Sequence, residues 1–538
     1  MTSEIHRRRR GRARQAGAAL AGATASLLLL VTAAGAVPAP PGPGGVDALP
    51  GIGVPDLPGL GELPGTPPGP APGGSGDSDP GDGDDGAPAP GPAGIDSGSD
   101  SASEAISPIG RAKDRATQPG AVDPFYDITA LTPGAPGSVL RTAAARTAPM
   151  PRGLDFPLPD SVTKVIYSTT DTHGSPIAVS GYLVEPSVPW TGKGARPTVV
   201  VGRGTVGQGD QCAPSRNWPV DDQPDPFSSG RMVALEGLYD WAFSAVGVRV
   251  FVTDYVGMGT PGMHTYMNRA EQAHAMIDGA RAARNLVGAG DFGRVAFYGH
   301  SQGGGASTAA VEAAPGYGAD LDVAGAYASA PPADLEAVQR GIDGSHLVGA
   351  IGFTINGLVA RYPELEQDLA RHISEEGRRV LDNLSRMCTD EIEAAYGGQT
   401  TADWTADGRA LDEIIDEIPA GRRAMDAQRI GTLTPTAPVM IISGTHDGTV
   451  DYQQAKDLAG HWCAAGANVV YRDDILPEIE DYNHFLQAVS GAPFGMSFIL
   501  KVLNGAPVGG CNAAGGAGSA ELPDLPRLDS SAGALFRD

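Results

Sequence analysis

Residues Val295-Ala296-Phe297-Tyr298-Gly299-His300-Ser301-Gln302-Gly303-Gly304-Gly305 decide how the chain is read. The first four suit a short strand buried on both faces, and the small residues of Gln302 to Ala313 follow at helical length. Between them lies G-x-S-x-G. In a chain with 76 glycines the five letters alone would arise on the order of once by chance, so the match draws its weight from its place between strand and helix. A sharp turn there lifts a serine hydroxyl over the C-terminal edge of a sheet. Flanking glycines remove Cβ atoms that would collide, and the N–H groups at the helix start favour a developing negative charge. Ser301 is therefore the candidate nucleophile.

Outward from this turn the pattern is strand and helix in alternation. Apolar, β-rich runs occur at Val162–Ser168, Ile177–Val184, Thr198–Val201, Val248–Thr253, Arg294–Tyr298, Val323–Ala328, Val439–Ile442 and Val469–Arg472. Several are continuous rather than alternating, which suits a mainly parallel sheet. Helical spacing marks Ala270–Leu286, Gln302–Ala313, Ala455–Ala464 and Phe485–Val502. The order predicts an α/β fold with right-handed crossovers. One interval breaks it: Pro331–Pro438 holds no convincing strand and reads as helices over Pro332–Gly341, His346–Ala360, Pro363–Leu384 and Ala410–Glu417. It is expected to be a helical lid or cap inserted between core segments 111–330 and 439–511. Within it, Leu347–Ile355 is unusually apolar and suits either the insertion's own core or a substrate-facing wall.

Serine is a weak nucleophile at neutral pH and needs a base oriented by an acid. Where a nucleophile sits on such an elbow, acid and base follow it in chain order. The strand Val439–Ile442 runs into Ser443-Gly444-Thr445-His446-Asp447-Gly448, which makes Asp447 the candidate acid. Asp451 is better explained as the N-cap of the next helix. Downstream of Asp447 stand two histidines, His461 and His484. His461 falls inside a helix beside Trp462, whereas His484 lies after the last strand, so Ser301, Asp447 and His484 form the expected constellation. His300 and His446 are expected to line or support the site.

Composition bounds the partners. With 63 acidic and 38 basic residues the formal net charge is −25, which argues against nucleic acid or anionic membrane as the main partner. Residues 1–36 combine an arginine run at 7–10, an apolar stretch centred on Leu27–Val31 and Ala34-Gly35-Ala36, the marks of a secretory signal peptide. Residues 37–110 hold many Pro, Gly, Asp and Ser and no aromatic residue, which predicts an extended acidic tether, and 512–538 a loose tail. Four cysteines, 212, 388, 463 and 511, in an exported chain read as two disulfides. None has C-x-x-C spacing, so neither metal nor cofactor is expected.

The runs Gly209-Asp210-Gln211-Cys212-Ala213-Pro214-Ser215, Val252-Thr253-Asp254-Tyr255-Val256-Gly257, Ala275-Met276-Ile277-Asp278-Gly279-Ala280-Arg281 and Cys463-Ala464-Ala465-Gly466-Ala467-Asn468, together with the elbow, resemble the secretory lipases of the lipase-A type known from yeasts and actinobacteria. The likeness covers about residues 120–511. It implies an α/β-hydrolase fold with a large helical lid, the same Ser301–Asp447–His484 triad, and disulfides Cys212–Cys388 and Cys463–Cys511. It also implies an oxyanion hole built from the Gln302 N–H and a donor in the loop before Cys212. There the chain has Gln211 where the pattern has Asp, with Asp210 one place earlier, so the donor stays open between them. The expected activity is a secreted, serine-dependent carboxylic ester hydrolysis, first of all on acylglycerols at a lipid–water interface. A small-ester esterase, an acyltransferase and a non-catalytic surface-tethered relative are the alternatives.

Overall fold

The computed structural model describes residues 123–148, 157–220, 232–474, 476–479 and 482–513. The expected leader over 1–36 and tether over 37–110 lie outside these residues, as does the tail beyond Ala513.

Within the described residues nine strands form one sheet: β1 (Val139–Ala145), β2 (Ser161–Thr170), β3 (Pro176–Glu185), β4 (Thr198–Gly202), β5 (Arg249–Thr253), β6 (Val295–His300), β7 (Val323–Ser329), β8 (Val439–Ser443) and β9 (Val469–Asp473). Their order is β1-β2-β3-β5-β4-β6-β7-β8-β9. The first three strands and β5 pair antiparallel, and β5 through β9 pair parallel. The β2–β3 turn is set locally. The Asp171 carboxylate accepts the N–H groups of His173 and Ser175, and Gly174 takes φ +82°. The apolar runs read from sequence coincide with strands β2 to β9, two of them beginning one residue early, at Val248 and Arg294. Strand β1 was not expected, because its Ala-rich sequence carries little strand propensity and it pairs on one side only, at the sheet edge.

The parallel strands alternate side chains between two buried faces. Val200, Phe251, Phe297 and Ile441 point to one, where α2 (Arg269–Val287) and α3 (Gln302–Tyr317) cover them. Val199, Val201, Tyr298 and Ile442 point to the other, against α1 (Leu238–Ala245) and the C-terminal helix. Two of the family-like runs are fixings of this core. Asp254 accepts from the Ser215 N–H and the Ser180 hydroxyl, tying β5 to the C-A-P-S loop, and Asp278 on α2 binds Thr169, Tyr317 and Arg281.

From β7 to β8 the chain is helical: α4 (Leu335–Ile342), α5 (Gly349–Arg361), α6 (Pro363–Leu369), α7 (Glu375–Leu384), α8 (Thr389–Tyr396), α9 (Leu411–Glu417) and α10 (Pro419–Asp426). The single helix expected over Pro363–Leu384 is two, because Ser374 leaves the helix and its hydroxyl caps α7 by accepting the Gly377 N–H. Helices α8 and α10, each of eight residues, were not expected. These helices bury a core of their own around Phe353, Leu358, Leu384 and Trp404. Helices α11 (Tyr452–Ala464) and α12 (Asn483–Leu503) flank β9 in the chain. Sequence reading found no span beyond the leader, yet α12 is long and apolar enough to cross a membrane. In the fold 67% of its apolar window is buried against the sheet, as a core helix. Cys212 pairs with Cys388 and Cys463 with Cys511, the first joining the loop after β4 to the insertion.

Candidate active site

The site lies along the C-terminal edge of the parallel strands. At the end of β6, Ser301 holds φ +56° and ψ −122°, a conformation that side-chain-bearing residues rarely adopt. The turn is tight because its glycines touch backbone. A Cβ on Gly299 would lie 2.3 Å from the Gly303 backbone, and one on Gly303 would lie 2.0 Å from the Gly202 carbonyl. Its N–H donates to the Ser329 carbonyl on β7 at 2.9 Å, and its own carbonyl starts α3 by accepting the Gly305 N–H.

Asp447 sits in the turn after β8. One carboxylate oxygen accepts the N–H groups of Thr449 and Val450, both at 2.9 Å, and fixes the turn. The other meets His484 Nδ1 at 2.8 Å, and His484 Nε2 meets Ser301 Oγ at 2.8 Å. With Asp447 as acceptor, Nδ1 carries the proton and Nε2 accepts the hydrogen bond of the Ser301 hydroxyl. Asn483 sets the approach to α12, its amide bridging the Ile479 N–H and the Pro477 carbonyl. The His484 and Asp447 side chains are 3% and 1% exposed, so their attraction is little screened by water.

The other sequence-flagged groups separate. His300 lines the cavity, with Nδ1 3.0 Å from the Ser329 hydroxyl and its ring 4.9 Å from that of His484. Burial, and then the neighbouring imidazole, hold its pKa well below the usual value, which keeps it neutral. His446 is exposed and is not among the cavity residues, contrary to expectation. Asp451 caps α11 through the Gln453 N–H, and His461 is exposed near that helix's end.

Gln302 begins α3, so its N–H has no partner within the helix, and it lines the cavity beside Ser301. Its amide nitrogen reaches His264 Nε2 at 3.2 Å, and His264 Nδ1 faces the Val256 carbonyl at 2.9 Å. Asp210 and Gln211, the expected second donors, do not line this cavity; Gly204 and Thr205 do. The reason is where the loop goes after β4. Residues 204–205 pass the elbow, and the chain then turns to the insertion. There the Gln208 and Gly209 N–H groups bond to the Met387 carbonyl, and the Gln211 amide donates to the Arg386 carbonyl at 2.5 Å. Among the described residues the Thr205 N–H has no hydrogen-bond partner. Its hydroxyl lies 2.7 Å from that of Tyr266, and its carbonyl accepts from Thr389. The missed signal was Gly202-x-Gly204 directly after a buried strand.

Away from these polar groups the cavity wall is apolar, formed by Leu335, Ile342, Leu347, Ile351 and Phe485. Of the Leu347–Ile355 stretch, Val348, Phe353 and Ile355 pack in the insertion's core, Leu347 lines the cavity, and Ile351 belongs to both.

A doubly covered, mostly parallel sheet with a serine on a strand–helix elbow defines an α/β-hydrolase fold. Among solved structures the chain is similar to Candida antarctica lipase A in its closed state, with TM-score 0.61 and 19% identity over 73% of this chain and 88% of that one. It is 30% identical to a probable inactive lipase of Mycobacterium tuberculosis over 66% of this chain and 77% of the relative. To a secreted triacylglycerol lipase of Malassezia furfur it is 24% identical, over 72% and 77%. A family profile described as secretory lipase matches residues 231–510. The chain belongs to the secretory lipase family, and with its secreted relatives it is an extracellular protein.

Proposed function

We propose that the chain is a serine-dependent ester hydrolase that releases apolar acyl groups, with acylglycerols as the substrate class. The observation that carries the reading is the pair of 2.8 Å contacts running from Ser301 Oγ through His484 to Asp447. In the first half-reaction His484 Nε2 takes the serine proton while Oγ bonds to the ester carbonyl carbon. The carbonyl oxygen becomes an oxyanion within reach of the Gln302 and Thr205 N–H groups. The carbonyl re-forms, the C–O bond to the alcohol breaks, and the imidazolium gives its proton to the leaving alkoxide. Water, deprotonated by the same imidazole, then attacks acyl-Ser301; the C–O bond to Ser301 Oγ breaks, the imidazolium returns the proton to Oγ, and the acid is freed. Asp447 holds the imidazole tautomer and offsets the imidazolium charge.

The apolar wall supports an acyl chain as the recognised part of the substrate. The name of the Mycobacterium tuberculosis relative makes a second reading concrete: a hydrolase-fold protein without turnover. One experiment separates them. Treated with a fluorophosphonate probe, the hydrolase takes a single label that peptide mapping finds on Ser301 and that the Ser301→Ala variant lacks. An unlabelled wild-type chain favours the second reading.

A further inference from the structure

Glu236 is a buried acid that the acyl-transfer steps above leave unused. It lies in the 3-10 turn Met232–Gly237 that leads into α1, is 7% exposed, and lines the same cavity as Ser301 and His484. Both carboxylate oxygens accept the Gly204 N–H, at 3.2 and 3.0 Å. The approach is close: a Cβ at 204 would lie 2.5 Å from Glu236 Oε1, so the carboxylate would have to move off to admit one. Arg203, the cation whose charge pulls on it, does not pair with this carboxylate. Its guanidinium donates to the Glu236 carbonyl and to the Asp240 carboxylate, each at 2.6 Å, and so fixes the backbone that carries Glu236. The carboxyl therefore stands in a mainly apolar wall, and burial pushes it up to about 7 against the pull of Arg203 and of the Gly204 N–H. A methionine or leucine would fill the same wall without that desolvation cost. What an acceptor adds is a hold on Gly204.

We propose that Glu236 is a positioning residue for the oxyanion hole. Held by its carboxylate, Gly204 presents the next N–H, that of Thr205, toward the carbonyl oxygen of a substrate on Ser301. The far side of Thr205 is anchored by Tyr266 and Thr389, so the donor is aimed from both sides. The inference rests on the hydrolase reading and deepens it.

The test compares Glu236→Gln, which keeps an oxygen acceptor, with Glu236→Met, which keeps the length and loses the acceptor. Kinetics are read on p-nitrophenyl butyrate, and butylboronic acid serves as a mimic of the tetrahedral adduct. The Met variant should lose about 10–100-fold in kcat, with KM within about twofold and boronate affinity weakened by the same factor as kcat. The Gln variant should stay within about threefold of wild type. Unchanged kcat in the Met variant, equal losses in both, or a change confined to KM overturns the inference. If Glu236→Met does not melt cooperatively, Glu236→Ala replaces it, and failure of both to fold assigns the residue to stability and overturns the inference as well. Fluorophosphonate labelling of the wild type keeps the two levels apart. An unlabelled Ser301 removes the hydrolase reading, whereas a labelled wild type beside a fully active Met variant removes only the role of Glu236.

Discussion

Gly303 at the elbow and Gly352 in the helical insertion are both close-packed, but they meet different neighbours. Gly303 abuts the Gly202 carbonyl, where an added Cβ would sit 2.0 Å away, and Gly299 abuts the Gly303 backbone. Gly352 in α5 is as crowded, but its added Cβ would meet the end of Leu384, a flexible side chain, at 2.2 Å. Backbone held in a sheet cannot yield, whereas a leucine can change rotamer. The elbow is thus fixed by backbone against backbone over consecutive residues, whereas the insertion mixes such contacts, as where a Cβ on Gly377 would lie 2.0 Å from the Trp404 carbonyl, with side-chain packing that many sequences satisfy. That is why the first is written in the chain as a motif and the second is not.

The sharpest way to break this comparison is chemical. Ser301→Ala keeps the elbow and removes the hydroxyl, and kcat on p-nitrophenyl butyrate should fall by about 10⁴–10⁶-fold with the melting curve little changed. Activity near wild type would place the chemistry elsewhere. Next comes the glycine pair. Gly303→Ala should cost more than about 3 kcal/mol by denaturant unfolding and abolish labelling of Ser301, and Gly352→Ala about 1–3 kcal/mol with labelling kept. Equal costs would mean the two regions are built alike.

The disulfide between core and insertion offers a third comparison. Replacing Cys212 and Cys388 by serine opens a link across 176 residues and should cost about 2–4 kcal/mol, measured by urea unfolding. A smaller effect follows from the buried acid near the elbow. Glu236 titrates at about 7 in the fold against about 4.5 unfolded, so its contribution is most favourable below pH 4.5 and is lost as pH rises through 7. Glu236→Gln should therefore raise stability by up to about 3 kcal/mol at pH 8 and change it little at pH 4. A gain that does not grow with pH would contradict the burial of the charge. Last, Ile351→Trp narrows the insertion's side of the cavity. It should lower kcat/KM for octanoate esters about 10-fold more than for acetate esters, and an equal loss for both would take α5 out of acyl recognition.

How much of this was legible in the sequence follows the same division. Continuous apolar runs announce strands buried on both faces, so β2 to β9 were readable, and β1, an alanine-rich edge strand, was not. Ser301, Asp447 and His484 stand at ends of elements whose order is visible, and the structure brings them within hydrogen-bond reach. Thr205 and Glu236 were not visible. A backbone N–H carries no letter of its own, and a lone Glu in Met232–Gly237 reads as a surface residue until Gly204 is seen against it. His446 misled because adjacency in sequence to Asp447 says nothing of direction: two residues after it the turn is closed by hydrogen bonds to the Asp447 carboxylate, and the imidazole is left outside.

Covalent acyl transfer at Ser301 can be caught by stopping the reaction part-way. The protein is mixed with p-nitrophenyl butyrate, quenched in acid within milliseconds to seconds, digested and mapped by mass. A butyryl group is expected on Ser301 in the wild type and none in Ser301→Ala. Turnover with no adduct at Ser301 at any quench time, or with the acyl group on another residue, would contradict it.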